Sequence, residues 1–448
     1  MREDNEKISK EIAVNIIGII LSLILGQVLW KEIPPTYIAL LFPATTLLYH
    51  FANFLWTTAG LINLKSFLEK ECQKIVDWII KQDIKWGLFN KDTNETLHAT
   101  TADGIMALQA HMNYAKDKQV EKSRTTFAYT VALKNLMEAL EETGVSSKSL
   151  EEKTIICTGM ALFILDRKEI LKDKALMKRI NAASLAVWEA RKNIAGEFYG
   201  WGSYLCEKNK ETNDKNVRMT SSFWAFRGLM NRKKEDTEFV TALIEFYGKH
   251  CDKESLFGFY SNGRPKQIVM TAMFALLYLE ASSDIKNKIE INTNFKIEKA
   301  VKYILKNYKK EELVYEEAWY FYKNKKNYKG IYTHTTLGWC LELIGRAYQS
   351  QKTNEIKKVM RKSELNGAIL FLRKILKDSD RVKEEDNDSN YKYYIPLNMQ
   401  TGAKGHDYTF PSFDLLKGAY SLLCAKYHKQ PKKDATLSSK IVGPKKEK

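Results

Sequence analysis

The residues best equipped for chemistry gather ahead of helix-like segments. His406, Asp407 and Tyr408 stand together in GHDYTFPSF, placing two titratable side chains and a phenol before an apolar run. His406 and Asp407 are therefore the first candidates for acid–base work. His98, Trp201, Arg218, Trp224, Arg264 and Lys266, Trp319 and His334 fall in or beside comparable connections. Aromatics and a few cations around an apolar hole suit an amphiphile with an anionic head, such as a prenyl phosphate or a lipid. The same set suits a partner peptide or a phosphorylated small molecule. It also suits plain packing, with the aromatics plugging a helical ring and the cations facing water.

The acids offer less. Asp103 sits at the third residue of a predicted helix over 101–115, where a carboxylate stabilises the N-terminus without any chemistry. Glu316 and Glu317 read as part of an exposed segment beside Trp319 and Tyr320. The stretch DSDRVKEEDNDSN at 378–390 mixes charges and small polar residues and reads as a solvated loop, not an ordered carboxylate array. Seven histidines and the scattered Cys72, Cys157, Cys206, Cys251, Cys340 and Cys424 supply no metal-ligand spacing, so neither a metal nor a cofactor is expected. The thiols are expected to be reduced. There is no GxSxG elbow, Walker motif, dinucleotide fingerprint or HExxH.

The elements that must hold these residues are helices. With 44% hydrophobic and 28% charged residues and only 8 prolines in 448, the chain has a globular, helix-favouring balance. Apolar residues recur with helical period over 65–82, 101–115, 124–144, 150–166, 175–192, 218–231, 236–250, 268–282, 296–309, 334–350, 357–376 and 411–427. These make six consecutive pairs. Inside several pairs the connection carries a glycine among aromatics: WGLF at 86–89, FYGWGSY at 198–204, LFGFY at 256–260 and YKGIY at 328–332. The second helix of a pair then opens on a threonine, at Thr101, Thr220, Thr271 and Thr335, read as an amide cap. The expected fold is all-α, an (α/α)6 toroid over 65–427 with the second helices inside. An open stack of hairpins is the competing arrangement.

Two uncharged runs precede this domain. Residues 12–30 span about 28 Å as helix, near the thickness of a bilayer core. A second helix is read at 36–62, within an uncharged run that ends at Leu64. Arg2, Lys7 and Lys10 before the first run, and Lys65, Lys70 and Lys74 after the second, outweigh the single Lys31 between them. A transmembrane hairpin over 12–64 is expected, making a multi-pass cell-membrane protein with the tail 1–11 and the large domain in the cytoplasm. The segment 428–448 is basic, without apolar pattern, and reads as a disordered tail. The formal charge of +17 suggests an anionic neighbour, and membrane lipid is the simplest one. No recognition helix or single-strand platform speaks for nucleic acid.

The repeat of helix, glycine–aromatic turn and threonine-led helix resembles the terpene cyclase and protein prenyltransferase β-subunit superfamily, across roughly 65–427. That resemblance implies an (α/α)6 barrel with a central cavity, and activity on prenyl substrates. The motifs that carry activity there are missing here. In RMTSSFW at 218–224, Met219 and Ser221 occupy the places of the zinc-binding Asp and Cys, and Phe410 stands near the place of the His. No DxDD, DDxxD or tandem QxxxGxW occurs. The expectation is a membrane-anchored, non-catalytic toroid that binds a ligand or a protein. The alternatives are a divergent transferase or cyclase acting on a prenyl or other lipid substrate, and a glycan-acting toroid.

Overall fold

The inner helices are the ones whose sequence is apolar on every side, because a helix with no polar face has to be surrounded. Ile268–Glu280 is the plainest case: residues 268 to 278 are all buried. Ile297–Asn307 shows the opposite plan. Its buried Ile297, Ala300, Val301 and Ile304 repeat at three and four residues and leave the remaining face to water.

The computed structural model describes residues 64–77, 79–80, 98–115, 119–146, 153–166, 173–194, 197–205, 217–258, 268–309, 333–350, 354–379 and 413–427. Helix α1 covers 64–77 and 79–80. It is followed by α2 (His98–Tyr114), α3 (Gln119–Ala139), α4 (Ile155–Leu165) and α5 (Lys174–Glu189). The strands β1 (Arg191–Ile194) and β2 (Glu197–Trp201) precede α6 (Met219–Lys233), α7 (Thr237–His250) and α8 (Ile268–Glu280). The chain continues with α9 (Ser283–Asn292), α10 (Ile297–Asn307), α11 (Thr333–Gln349), α12 (Asn354–Val359), α13 (Lys362–Ser379) and α14 (Phe413–Tyr427). From Phe67 onward the chain forms one compact unit.

Within that unit α2, α4, α6, α8, α11 and α14 each touch the next, and α14 returns to α2. Six second helices thus close a ring, and the first helices pack on its outside. Paired contacts ascend together along neighbours: Asp103 with Lys417 and His111 with Tyr420, Phe223 with Phe274 and Arg227 with Glu280. These neighbouring inner helices therefore run parallel, starting from one mouth. Glycines set the two closest seams. A Cβ on Gly159 or Gly228 would strike the facing backbone of α6 or α4, and one on Gly338 or Gly418 would strike α14 or α11.

The repeat acquires a physical meaning at the fourth residue of the inner helices. Thr158 in α4 accepts the amide of Val145 at 2.8 Å, Ser222 in α6 that of Trp201 at 3.0 Å, and Thr271 in α8 that of Phe257 at 3.1 Å. Thr101 and Thr336 hold the same place in α2 and α11. The hydroxyl therefore fastens the preceding connection to the inner helix; it does not cap the helix. Capping by the threonines is thus corrected: Thr101 and Thr271 lie one turn inside their helices, and Arg218 is the N-cap residue of α6 without a side-chain bond. Gly144 (φ 106°) and Gly200 (φ 128°) enter these junctions in left-handed conformation, directly against Thr158 Oγ1 and Ser222 Oγ. Gly200→Ala should therefore lower stability by more than about 2 kcal/mol, combining strain with a clash. Gly248→Ala, where a methyl meets only Thr293 at 3.8 Å, should be neutral or gain up to about 1 kcal/mol. Urea unfolding of the two variants checks both.

Four expectations are adjusted. The all-α plan gains one antiparallel hairpin, β1 with β2, whose register shifts between Lys192 and Asn193. α9 is an additional helix. The segment 357–376 is two helices, because the chain breaks at Met360 and Arg361. The helix read at 124–144 stops at Ala139, and Glu141 and Gly144 then form a tight turn. Among the described residues no helix is long and apolar enough to cross a membrane. The runs 12–30 and 36–62, the tail 1–11 and the segment 428–448 lie outside those residues.

Candidate functional site

A charge inside an otherwise apolar inner helix has to face the ring's centre, since every other direction is occupied by a neighbouring helix. Asp103 in α2, Arg227 in α6, Glu342 in α11 and Lys417 in α14 obey this rule, and Glu280 closes α8. Together with Phe163 of α4 they bring one side chain from each of the six inner helices to a single cluster.

The mouth-side half is built on Lys417, only 6% exposed. Its Nζ lies 2.5 Å from Asp414 Oδ1, 3.4 Å from Asp103 Oδ1 and 4.5 Å from the centre of the Trp339 ring. Burial alone would pull this ammonium down, but Asp414, Asp103 and Glu342 outweigh it and hold it at about 12. The Asp103 carboxyl is pushed up to about 7 by burial first and then by the charge of Asp414, with Lys417 opposing. Its side chain nevertheless keeps 28% of its surface accessible. Asp103 is thus walled in by protein and still partly reachable. At neutral pH it holds its proton for a large part of the time.

Deeper along the axis, Arg227 donates from Nε and Nη2 to the two oxygens of Glu280 at 2.9 and 2.6 Å, a bidentate pair. Its guanidinium carbon is 4.1 Å from the Phe163 ring centre, 5.4 Å from Trp224, 5.5 Å from Phe223 and 5.6 Å from Trp339. The rings also meet one another, Phe223 and Trp339 edge-on at 5.5 Å and Trp224 and Trp339 at 6.0 Å. Burial disfavours the Arg227 charge, while Glu280 and Glu342 more than restore it. Arg346 approaches Glu280 at 3.9 Å near the far end. The chain's own arginine therefore occupies the aromatic box and separates the mouth side of the axis from its far end.

Of the residues expected to meet a ligand, Trp224 belongs to this cluster. Trp201 is wholly buried: its indole N–H donates to Val187 O at 2.6 Å and its ring meets Phe226 edge-on at 4.8 Å, so it packs the junction of β2 and α6. Arg218 is exposed at the start of α6, towards the mouth. His98 and His334 stand in the first turns of α2 and α11, and their side chains lie outside the described residues. Arg264, Trp319, His406, Asp407 and Tyr408 also lie outside them. The reading of Asp103 is corrected: it is the sixth residue of α2, beyond the first turn, and its partner is Lys417.

Arg227, Glu280, Glu342 and Lys417 were not singled out by sequence. The available signal was a lone ionisable residue inside an apolar run, as in FWAFRGLM, WCLELI and LLKGAY. Among the described residues no three His, Cys, Asp or Glu side chains converge on a metal position. Cys72, Cys157, Cys251, Cys340 and Cys424 are free thiols, and Cys206 lies outside the described residues.

No family model matches the chain, and no curated protein matches it. Solved structures are similar in fold. A type II terpene cyclase, MstE from Scytonema, in complex with merosterolic acid A, is 14% identical with a TM-score of 0.47, covering 82% of this chain and 99% of that one. The apo form of a single-residue variant gives 13%, 0.48, 82% and 99%. A GH76 alpha-mannanase from Bacteroides thetaiotaomicron is 11% identical with a TM-score of 0.46, covering 80% of this chain and 95% of that one. At this distance the likeness carries nothing about chemistry, which rests on the chain's own residues.

Proposed function

We propose that this protein is a membrane-anchored toroid that binds a ligand or a protein partner at the cytoplasmic face of the membrane without transforming it. Arg227 is the observation that carries the reading. A ring that works on an apolar substrate has to turn its aromatic faces towards that substrate, whereas Phe163 and Trp224 here face a guanidinium locked by Glu280. What remains is the mouth side of the axis, where Asp103 is still partly accessible and where an isoprenoid or other apolar tail would enter beside Trp339. An anionic head belongs further out, beside Arg218, because Asp103, Asp414 and Glu342 against Lys417 would repel it inside. The runs 12–30 and 36–62 supply the anchor.

A second reading has its own support. Asp103, raised to about 7, retains a proton that it could deliver to the alkene of a prenyl chain, making the ring a divergent cyclase. A glycan-acting reading is weaker. It needs two carboxyls flanking one bond, and Asp103 and Asp414 share a single ammonium.

Native mass spectrometry of the full-length protein purified in detergent tests these readings. A lipid-sized adduct is expected, lost at least about tenfold in Asp103→Asn and in Arg218→Ala, which corresponds to about 1.4 kcal/mol or more each. An added polyprenyl alcohol should be recovered unchanged. Its conversion to a cyclic isomer by the wild type but not by Asp103→Asn would establish the cyclase instead. An empty wild-type protein carrying a stoichiometric polypeptide would place the function in partner binding, and an empty protein alone would overturn binding on the mouth side of the axis.

A further inference from the structure

We propose that the outer face made by α10, α12 and α13 docks on the anionic headgroups of a membrane surface. On α10 and its C-terminal turn, Lys299, Lys302, Lys306 and Lys309 are exposed and spaced to follow one side of the helix. From α12 into α13, Lys357, Lys358, Arg361, Lys362, Arg373 and Lys374 are exposed as well. No acidic side chain described on these three helices is exposed: Glu298 and Glu364 are both half-buried.

The helices form one surface. α12 packs on α10, Tyr308 meets Phe371 edge-on at 5.5 Å, and Lys309 reaches the backbone of α13 beside Gly367. None of the ten basic side chains pairs with a carboxylate among the described residues. Leu370, 53% exposed, adds an apolar point to the same helix.

The other outer helices carry a mixed or acidic exposed set: α7 exposes Glu238 and Glu245, α3 mixes Arg124 and Lys134 with Glu138, and α5 mixes Lys174 and Lys178 with Glu189. Ten exposed basic side chains on three adjoining helices, with no exposed acid among the side chains described there, are complementary to an extended anionic surface.

The docking does not depend on the uncharged runs 12–30 and 36–62 being inserted.

The test uses the full-length protein in nanodiscs of phosphatidylcholine, alone or with about one-third phosphatidylglycerol, and measures acylation of individual lysines. Lys302, Lys306, Lys357 and Lys358 should react at least about fivefold more slowly in the anionic discs, with the protection lost near 1 M salt, where the screening length is about 3 Å. Combined Lys302→Glu, Lys306→Glu and Lys358→Glu substitution should abolish protection of Lys357 without lowering the melting temperature. Equal reactivity in the two discs, or protection that survives charge reversal, overturns the proposal. Protection produced by added RNA and not by anionic discs overturns it in favour of a nucleic-acid face. Retention in purely neutral discs reports separately on the anchor. If the protein leaves them, flotation of the full chain with anionic vesicles decides: flotation abolished by the triple reversal supports docking, and none overturns it.

Discussion

Arg227→Met should destabilise the protein by about 3–5 kcal/mol, because Glu280 is left buried with its main partner gone. The guanidinium is 4% exposed and fixed by two short hydrogen bonds, so no water is positioned to replace it fully. Arg346 at 3.9 Å is too distant and too exposed to take over. Converting both partners, Arg227→Met with Glu280→Leu, should return most of the loss, since an apolar pair of similar volume suits the surrounding rings. Urea midpoints of the single and double variants form the cycle. A single variant as stable as the wild type would remove the claim that this arginine plugs the ring, and with it the main support for a non-catalytic role.

Lys417→Met should show the second large effect, and its size should depend on pH. At pH 8 the substitution leaves Asp103 and Asp414 facing each other without their shared cation, at a cost of about 3–5 kcal/mol. In the native protein Asp103 holds its proton up to about 7, against an ordinary value of 3.8. The unfolded chain thus releases this proton first, and the Asp103 contribution to stability falls as pH rises between about 4 and 7. Removing the lysine takes away the influence that opposes the shift, so the carboxyl is pushed higher still. The deficit should therefore shrink as pH falls below about 7 and the carboxyl is protonated. Lys417, held at about 12 against 10.5, contributes a slope of the same sign in a higher window: its share is complete below about 10.5 and lost as pH rises through 12. Thermal melts of wild type and variant from pH 5 to pH 9 should diverge with rising pH. Adding Asp414→Asn to the variant should remove most of the divergence. Parallel curves would mean that the two carboxyls are not coupled through this lysine.

The central cluster is the product of ring closure, which explains why its members were hard to single out. Asp103 is separated from Lys417 by more than three hundred residues, and sequence offers only the local role of a carboxylate near a helix start. The mouth residues were easier to notice because aromatics and histidines stand out in glycine-rich connections. Prominence in sequence did not mean accessibility: Trp201 proved to be wholly buried, its amide taken by Ser222. The glycine–aromatic repeat had a real cause, but a different one from capping. The hydroxyl at the fourth position of α4, α6 and α8 fastens the preceding connection, with a left-handed glycine before it at Gly144 and Gly200, and reading this requires knowing where each helix begins.

Helical class, the pairing of helices and the division into inner and outer sets were determined by sequence alone. The reason is local: a helix apolar all round must be surrounded, whereas one with a single apolar stripe needs only one neighbour. Tertiary structure alone decided which ionisable groups meet. Closing six inner helices from α2 to α14 places Asp103, Arg227, Glu280, Glu342, Asp414 and Lys417 in one low-dielectric space, where each group's protonation depends on partners brought from distant turns of the chain.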